Sequence, residues 1–259
     1  MLQKFHKYVG AGNDFVMLDF ITRDKMYLNI DFIKKICHRR FGIGADGLIT
    51  IEESKTSDFL MRYYNSDGKE GTMCGNGGRC AVQFAADLGI IDSQTTFEAV
   101  DGKHKAHLTK DLVNLQMNDV QNIETTPFGE FANTGSPHVM VKTENTSEID
   151  AYAKGKEIRY NSYFGPSGVN VNFYEIKNDE IHLKTYERGV ENVTWACGTG
   201  SVATAITAHF KGLIKHSKNI KVISKGGTLY VSFDYNKNFN NIWLEGDAKR
   251  VFSGYDFVK

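Results

Sequence analysis

Hydrophobic and polar positions along this chain follow two rhythms in turn, and each rhythm predicts its own kind of element. Residues 15–20, 47–52 and 59–64 are short runs of aliphatic, β-branched and aromatic side chains that read as strands. Between the first two, residues 31–40 carry Ile33, Ile36 and Cys37 at helical spacing, which predicts an amphipathic helix. Residues 78–88 come next, apolar on most faces, and they close on Gly89, a residue suited to the position just past a helix end. Strands are predicted again at 96–100, 103–108 and 112–117, with Asp101-Gly102 as a hairpin signal. The order is strand, helix, two strands, helix, three strands.

The second half repeats that order. Strands are predicted at 138–142, 169–176 and 181–186, a helix at 149–158, an apolar helix at 201–211 closed by Gly212, and strands at 221–224, 228–234 and 242–246. Gly212 stands 123 residues beyond Gly89. The same offset lays Phe15-Val16-Met17-Leu18 on His138-Val139-Met140-Val141, Gly47-Leu48 on Asn170-Val171, and Tyr63-Tyr64-Asn65 on Tyr186-Glu187-Arg188. A common register over this span predicts an internal duplication. It also assigns Asn65 to the position of Arg188 and Gly47 to that of Asn170.

A helix that is apolar on most faces has to be enclosed. The expected fold is therefore α/β (α+β), with two pseudo-symmetric domains, each a mostly antiparallel or mixed sheet wrapped around a central helix. The domains are expected at 1–119 and 120–248, with the segment 249–259 packing on the first. Residues 251–258 lie outside the repeat and are expected to add a strand to the first half.

Composition narrows the function. Lys plus Arg and Asp plus Glu both total 31 in 259 residues, so nothing argues for a nucleic-acid or anionic membrane partner. Met1-Leu2-Gln3-Lys4-Phe5-His6 has no apolar signal core and no run approaches a membrane span, so a soluble, cytoplasmic protein is expected. The four cysteines, 37, 74, 80 and 197, form neither a disulfide scaffold nor a C-x-x-C pair, and read as reduced thiols. His104 and His107 would face opposite sides of a strand. Gly10-Ala11-Gly12 and Gly75-Asn76-Gly77-Gly78 lack the spacing and the lysine of nucleotide loops. No metal and no cofactor is expected.

Chemistry concentrates where the two apolar helices begin. Met73-Cys74-Gly75-Asn76-Gly77 opens the first and Ala196-Cys197-Gly198-Thr199-Gly200 the second, with the cysteines 123 residues apart. A helix N-terminus favours a thiolate, and glycines expose backbone N–H groups that make a nest for a carboxylate. Two such ends predict proton chemistry beside a carboxylate: one thiolate removes the proton of an α-carbon and the other thiol returns one from the opposite face. The backbone donors would hold the charge that develops on the carboxylate. Cys37 and Cys80 read as small buried hydrophobes.

Taken together, Gly12-Asn13-Asp14-Phe15, Asn65-Ser66-Asp67-Gly68, the two Cys-Gly stretches, Ser136-Pro137-His138, Val169-Asn170-Val171 and Tyr186-Glu187-Arg188-Gly189 make a chain that resembles the diaminopimelate epimerase family over nearly its whole length. The resemblance implies a cofactor-independent, two-base epimerase interconverting LL- and meso-2,6-diaminopimelate in lysine and peptidoglycan precursor synthesis, usually a homodimer. It makes Cys74 and Cys197 the acid/base pair, supported by His138 and Glu187. It gives Gly75, Asn76, Gly198 and Thr199 the carboxylate at the reacting centre, and Asn13, Asn65, Asn170, Glu187 and Arg188 the amino groups and distal carboxylate. Arg188 offers a bidentate fork suited to that role. Gly47 and Ser136 stand where many members have glutamine and asparagine. Two other readings are a proline or hydroxyproline racemase of the same two-thiol group and a non-catalytic binding module with structural cysteines. Arg188 and the asparagines, which serve a second amino-acid end, favour diaminopimelate over proline.

Overall fold

The computed structural model describes residues 2–71, 73–110 and 112–257. Val258, the predicted end of the last strand, lies outside them. The first half runs β1 (Leu2–Gly10), β2 (Asn13–Phe20), α1 (Ile30–Cys37), β3 (Gly47–Glu52), β4 (Phe59–Asn65), the two-residue β5 (Glu70–Gly71), α2 (Gly75–Asp87), β6 (Gln94–Ala99), β7 (Gly102–Leu108) and β8 (Val113–Gln116). The second runs β9 (Glu124–Thr126), β10 (Gly129–Asn133), β11 (Pro137–Lys142), α3 (Ala151–Arg159), β12 (Asn170–Lys177), β13 (Glu180–Glu187), β14 (Asn192–Val193), α4 (Gly198–Phe210), β15 (Ile220–Ser224), β16 (Gly227–Asn236) and β17 (Asn238–Gly246). Last comes β18 (Lys249–Phe257). Two compact units divide the chain: Met1–Leu115 with Gly246–Lys259, and Gln116–Glu245.

In the first unit the pairing runs β18, β1, β2, β3, β4, β6, β7, β8, antiparallel except at β2–β3 and β4–β6. Strands β1 to β4, β7 and β18 all pack on α2, so the sheet encloses the helix. Cys80, Ala81, Val82, Phe84 and Ala85 are shut away from solvent as a result, and each large apolar side chain buried in this way contributes roughly 1.5–3 kcal/mol. The opposite face carries α1, whose Ile33, Ile36 and Cys37 join Val16, Leu18 and Leu48 in a second cluster. Helix α1 ends at Cys37, three residues short of the predicted end. The His38 ring accepts the backbone N–H groups of Arg40 and Phe41 through Nδ1, both at 3.1 Å, and offers the chain an alternative to another helical turn.

The second unit repeats the arrangement: β9, β10, β11, β12, β13, β15 and β16 pair in that order, parallel at β11–β12 and β13–β15. Its strands β10 to β13, β15 and β16 enclose α4, and α3 covers the outer face with Ala151 beside Val171, Phe173 and Tyr186. Registers show where the duplication is strict. Phe15 faces Gly47 and His138 faces Asn170, as the offset of 123 requires. One strand further the register slips by a residue. Leu48 faces Tyr64, whereas Val171 faces Tyr186 and not Glu187. Carried on by one residue, that register sets Asn170 beside Glu187, the place Asn65 holds beside Gly47. The counterpart of Asn65 is thus Glu187, which corrects the assignment to Arg188. Burial explains the slip: Ile181, Leu183 and Thr185 take the inward places of Phe59, Met61 and Tyr63, and an offset of 123 would have turned His182 inward.

Among the described residues five strands escaped the sequence reading, the two-residue β5 and β14 among them. Strand β1 buries His6 and Lys7 among its apolar residues, which hides the alternation. Strands β9 and β10 are only three and five residues long.

Candidate active site

In the first unit Cys74 caps the start of α2 with an extended backbone, φ −90° and ψ 127°, and its carbonyl accepts the first helical bond from Gly78 N at 2.7 Å. Gly75 and Asn76 form the first turn, where backbone N–H groups have no partner within the helix. A side chain at Gly77 or Gly78 would come within 3.0 Å of Ile49 or Met73, so the strands and the preceding loop close tightly on this turn. Asn76 is buried and donates to Asn13 Oδ1 at 2.6 Å, and Asn13 donates in turn to Asp46 at 2.9 Å. Two of the predicted binding residues are therefore joined directly. Behind them Lys7 and Arg39 both meet Asp14 at 2.7 Å, and Arg39 also meets Asp46. Burial would raise the Asp14 pKa, but the hydrogen bonds from Arg39 and Lys7 outweigh it and hold the carboxyl at about 2. Asn65 ends β4 opposite Gly47, where a Cβ would lie 2.5 Å from the Tyr63 ring and from Tyr64 O. Packing thus accounts for glycine at position 47 in this chain.

In the second unit Cys197 caps α4 in the same extended fashion, φ −129° and ψ 114°, and is buried. Thr199, two residues on, sets Oγ1 3.5 Å from Cys197 Sγ and 2.9 Å from His138 Nε2. His138 is wholly enclosed on β11. Burial first, then the charge of Arg188, push its pKa down to about 3, against a smaller opposing pull from the Asn172 hydrogen bond. The ring is therefore neutral. Asn172 Nδ2 donates to Nδ1 at 3.0 Å, which leaves the hydrogen on Nε2, directed at Thr199. Thr185 Oγ1 donates to Asn172 Oδ1 at 2.9 Å and Thr134 Oγ1 donates to Thr199 O at 2.9 Å, so both ends of this relay are held. Asn170, at the start of β12, accepts Arg188 N at 2.8 Å and donates to Pro137 O at 3.0 Å. It sets the Arg188 backbone, and Glu187 precedes it at the end of β13.

Sequence reading passed over Asn172, Thr185 and Arg79. A signal for Asn172 was present: Asn170 and Asn172 share one face at the start of a strand that continues through Phe173, Tyr174 and Ile176. Arg79 is a lone charged residue in a helix of small and apolar ones. Cys37 and Cys80 lie buried, as expected, and burial pushes the Cys37 thiol up to about 12 and raises Cys80 further. Among the described residues no three His, Cys, Asp or Glu side chains are grouped to hold a metal, and no helix is long and apolar enough to cross a membrane.

This architecture is shared by a class of proteins built from two helix-centred sheets. The chain is similar to a phenazine biosynthesis protein of the PhzF family from Bacillus anthracis, with TM-score 0.75 and 14% identity over 100% of both chains. It is also similar to a probable proline racemase from Agrobacterium radiobacter K84, with TM-score 0.69 and 14% identity over 99% of this chain and 93% of that one. Within that class the sequence is more specific. The model of the diaminopimelate epimerase family matches residues 5–123 and 131–251. A diaminopimelate epimerase of Flavobacterium psychrophilum is 46% identical over 252 residues, 96% of this chain and 98% of its own. One of Chlorobaculum tepidum is 42% identical over 255 residues, 95% and 98% of the two chains. The chain belongs to the diaminopimelate epimerase family.

Proposed function

We propose that the chain is an isomerase that interconverts LL- and meso-2,6-diaminopimelate by two-base proton transfer, in lysine and peptidoglycan precursor synthesis. One observation carries the reading beyond family membership: two thiols, Cys74 and Cys197, each cap a buried helix whose first turn presents backbone donors. Cys74 and Cys197 work on opposite faces of one α-carbon. As a thiolate one takes the α-proton, and the other as a thiol supplies a proton to the far face, which inverts the centre. The carboxylate on that carbon accepts from the N–H groups of Gly75, Asn76, Gly198 and Thr199, and these donors hold the negative charge of the carbanion as it spreads onto the carboxylate. Donors fixed in the first turn of a helix need no rearrangement as such charge develops.

His138 acts through Thr199. A neutral imidazole donating to the Thr199 hydroxyl leaves that hydroxyl's own hydrogen available to the Cys197 sulfur, which steadies the thiolate when Cys197 is the base. Arg188 receives the distal carboxylate, and Asn13, Asn65, Asn170 and Glu187 receive the amino groups and the rest of the distal end. The protein works in the cytoplasm as a homodimer, a reading supported by the family resemblance and measurable by light scattering. No cofactor enters the reaction.

The test is incubation with LL-diaminopimelate in deuterated water without added pyridoxal phosphate. Deuterium at one α-carbon, lost in Cys74→Ala and in Cys197→Ala, is expected. Reduced, folded protein that incorporates none, or that turns over proline alone, overturns the reading.

A further inference from the structure

One carboxylate ties the turn that carries Arg188 to helix α3. Strands β13 and β14 form a hairpin in which Tyr186 faces Val193 and Glu187 faces Asn192, so residues 188–191 are its tip. Glu191 closes that tip twice. Its backbone N–H donates to Glu187 O at 2.8 Å, and its Oε1 accepts Gly189 N at 3.0 Å. The same Oε1 accepts Arg159 Nη2, from the last turn of α3, at 3.1 Å, and Oε2 accepts the Tyr186 hydroxyl at 3.4 Å. Burial would raise the pKa of the Glu191 carboxyl, but the Gly189 N–H, the Tyr160 hydroxyl and Arg159 outweigh it and hold the group below the usual carboxylate range.

Arg159 extends the brace to a second segment. Its side chain is only 10% exposed, and a Cβ on Gly168 would lie 1.8 Å from Nη1, so the guanidinium is seated against the backbone that leads into Asn170. Asn170 in turn accepts Arg188 N. The pair thus supports both segments that deliver Asn170, Glu187 and Arg188. Stability alone does not account for it. Arg159 Nε and Nη1 are buried with no hydrogen-bond partner among the described residues, and a buried ion pair gains little over apolar side chains of similar volume. At the matching end of α1 the first unit buries Ile36 and Cys37 instead. Glu191 also holds φ at 55°, a left-handed conformation that disfavours a residue with a Cβ and persists where the surroundings impose it.

We infer that Glu191, braced by Arg159, is a positioning residue for the distal end of the substrate: it fixes the 188–191 turn and with it the place of Arg188. The inference rests on the proposed function, which gives Arg188 the distal carboxylate. Because Glu191 bonds the backbone of that turn, its loss is expected in binding of the distal end and not in proton transfer.

The test measures kcat and KM for LL-diaminopimelate, together with amide exchange of the 187–193 segment in the substrate-free protein. Glu191→Gly removes the carboxylate while relieving the left-handed backbone, so the fold is expected to survive. Its KM should rise about tenfold with kcat within about threefold of wild type, and the segment should exchange roughly fivefold faster or more. Arg159→Met, which leaves the turn's own sequence intact, should give the same split. Glu191→Gln keeps an acceptor for Gly189 N–H and Arg159 and should recover most of the KM.

An unchanged KM or unchanged exchange in Glu191→Gly overturns the inference, as does a fall in kcat at constant KM. Glu191→Gln behaving no better than Glu191→Gly overturns it equally, since backbone freedom and not the carboxylate would then have moved the turn. Should Arg159→Met fail to fold, the two Glu191 variants decide. Wild-type protein that does not turn over LL-diaminopimelate removes the epimerase reading and the substrate named here, while faster exchange in Glu191→Gly would leave the brace itself standing.

Discussion

At the scale of single residues, hydrogen-bond direction determines what each group can do. Thr199 bridges His138 and Cys197, and the bridge needs only a hydroxyl. Thr199→Ser should keep most activity. Thr199→Val removes a bond to a group that becomes charged, worth about 1.5–3 kcal/mol, so epimerisation should slow roughly ten- to hundredfold, and the thermal midpoint should fall as well, because the buried His138 Nε2–H loses its acceptor. His138 makes a separate prediction about acid. Its folded pKa lies below the ordinary value of about 6.5, so its neutral form contributes stability that is fully present above that value and is lost as pH falls toward about 3. Unfolding free energy should therefore decline from pH 7 to pH 4 by at most about 1.4 kcal/mol per pH unit from this group, and denaturant titrations should show a shallower decline in His138→Gln. Asp14 cannot mimic that signal above pH 4, because its contribution is lost only between its ordinary value and about 2.

At the scale of elements, close packing overrides propensity. Gly155 lies inside α3, where alanine would gain about 1 kcal/mol of helix propensity. A Cβ there would stand 2.4 Å from Tyr186 Cβ, a side chain buried against β12 and α3 that has nowhere to go. Gly155→Ala should destabilise the protein by roughly 1–2 kcal/mol in spite of the propensity gain, a balance set by the cost of overpacking and read from thermal or denaturant unfolding. Most elements were legible in the sequence because their signals are local. Helices α2 and α4 announced themselves by glycines, a cysteine cap and an apolar run. Strand β1 did not, because its buried Lys7 is made tolerable by Asp14 on the neighbouring strand. The alternation of Phe59 and Met61 against Ile181 and Leu183 held the one-residue slip of β13, yet a single global offset concealed it.

At the scale of the whole molecule, the duplication is completed differently at its two ends. Strand β10 has the short β9 beside it, supplied by the residues just before. Its counterpart β1 has β18, supplied from the other end of the chain and paired from Leu2 to Val9. Removing residues 249–259 should therefore strip β1 of one of its two strand partners and leave β10 with both of its own. Amide exchange should quicken along β1 and its neighbours in the first unit while β10 keeps its protection. Equal loss in both units would show that β18 does not act through β1. The repeat is likewise uneven near its two cysteine-capped helix starts, since in the first unit a buried Arg79 donates to Asn76 and in the second Thr199 bridges His138 and Cys197.

Sequence by itself determined the duplication, the order of most elements, the two thiols at helix starts and the family to which they belong. The elements and the helix-start thiols rest on periodicity and capping, the duplication on a constant offset and the family on its shared motifs, and all of these survive in a linear reading. Tertiary structure alone decided that Asn65 answers to Glu187, that β18 pairs with β1, that Asn172 sets the His138 tautomer, and that Arg79 is enclosed. These depend on strand register and on desolvation, and both are properties of partners distant in the chain.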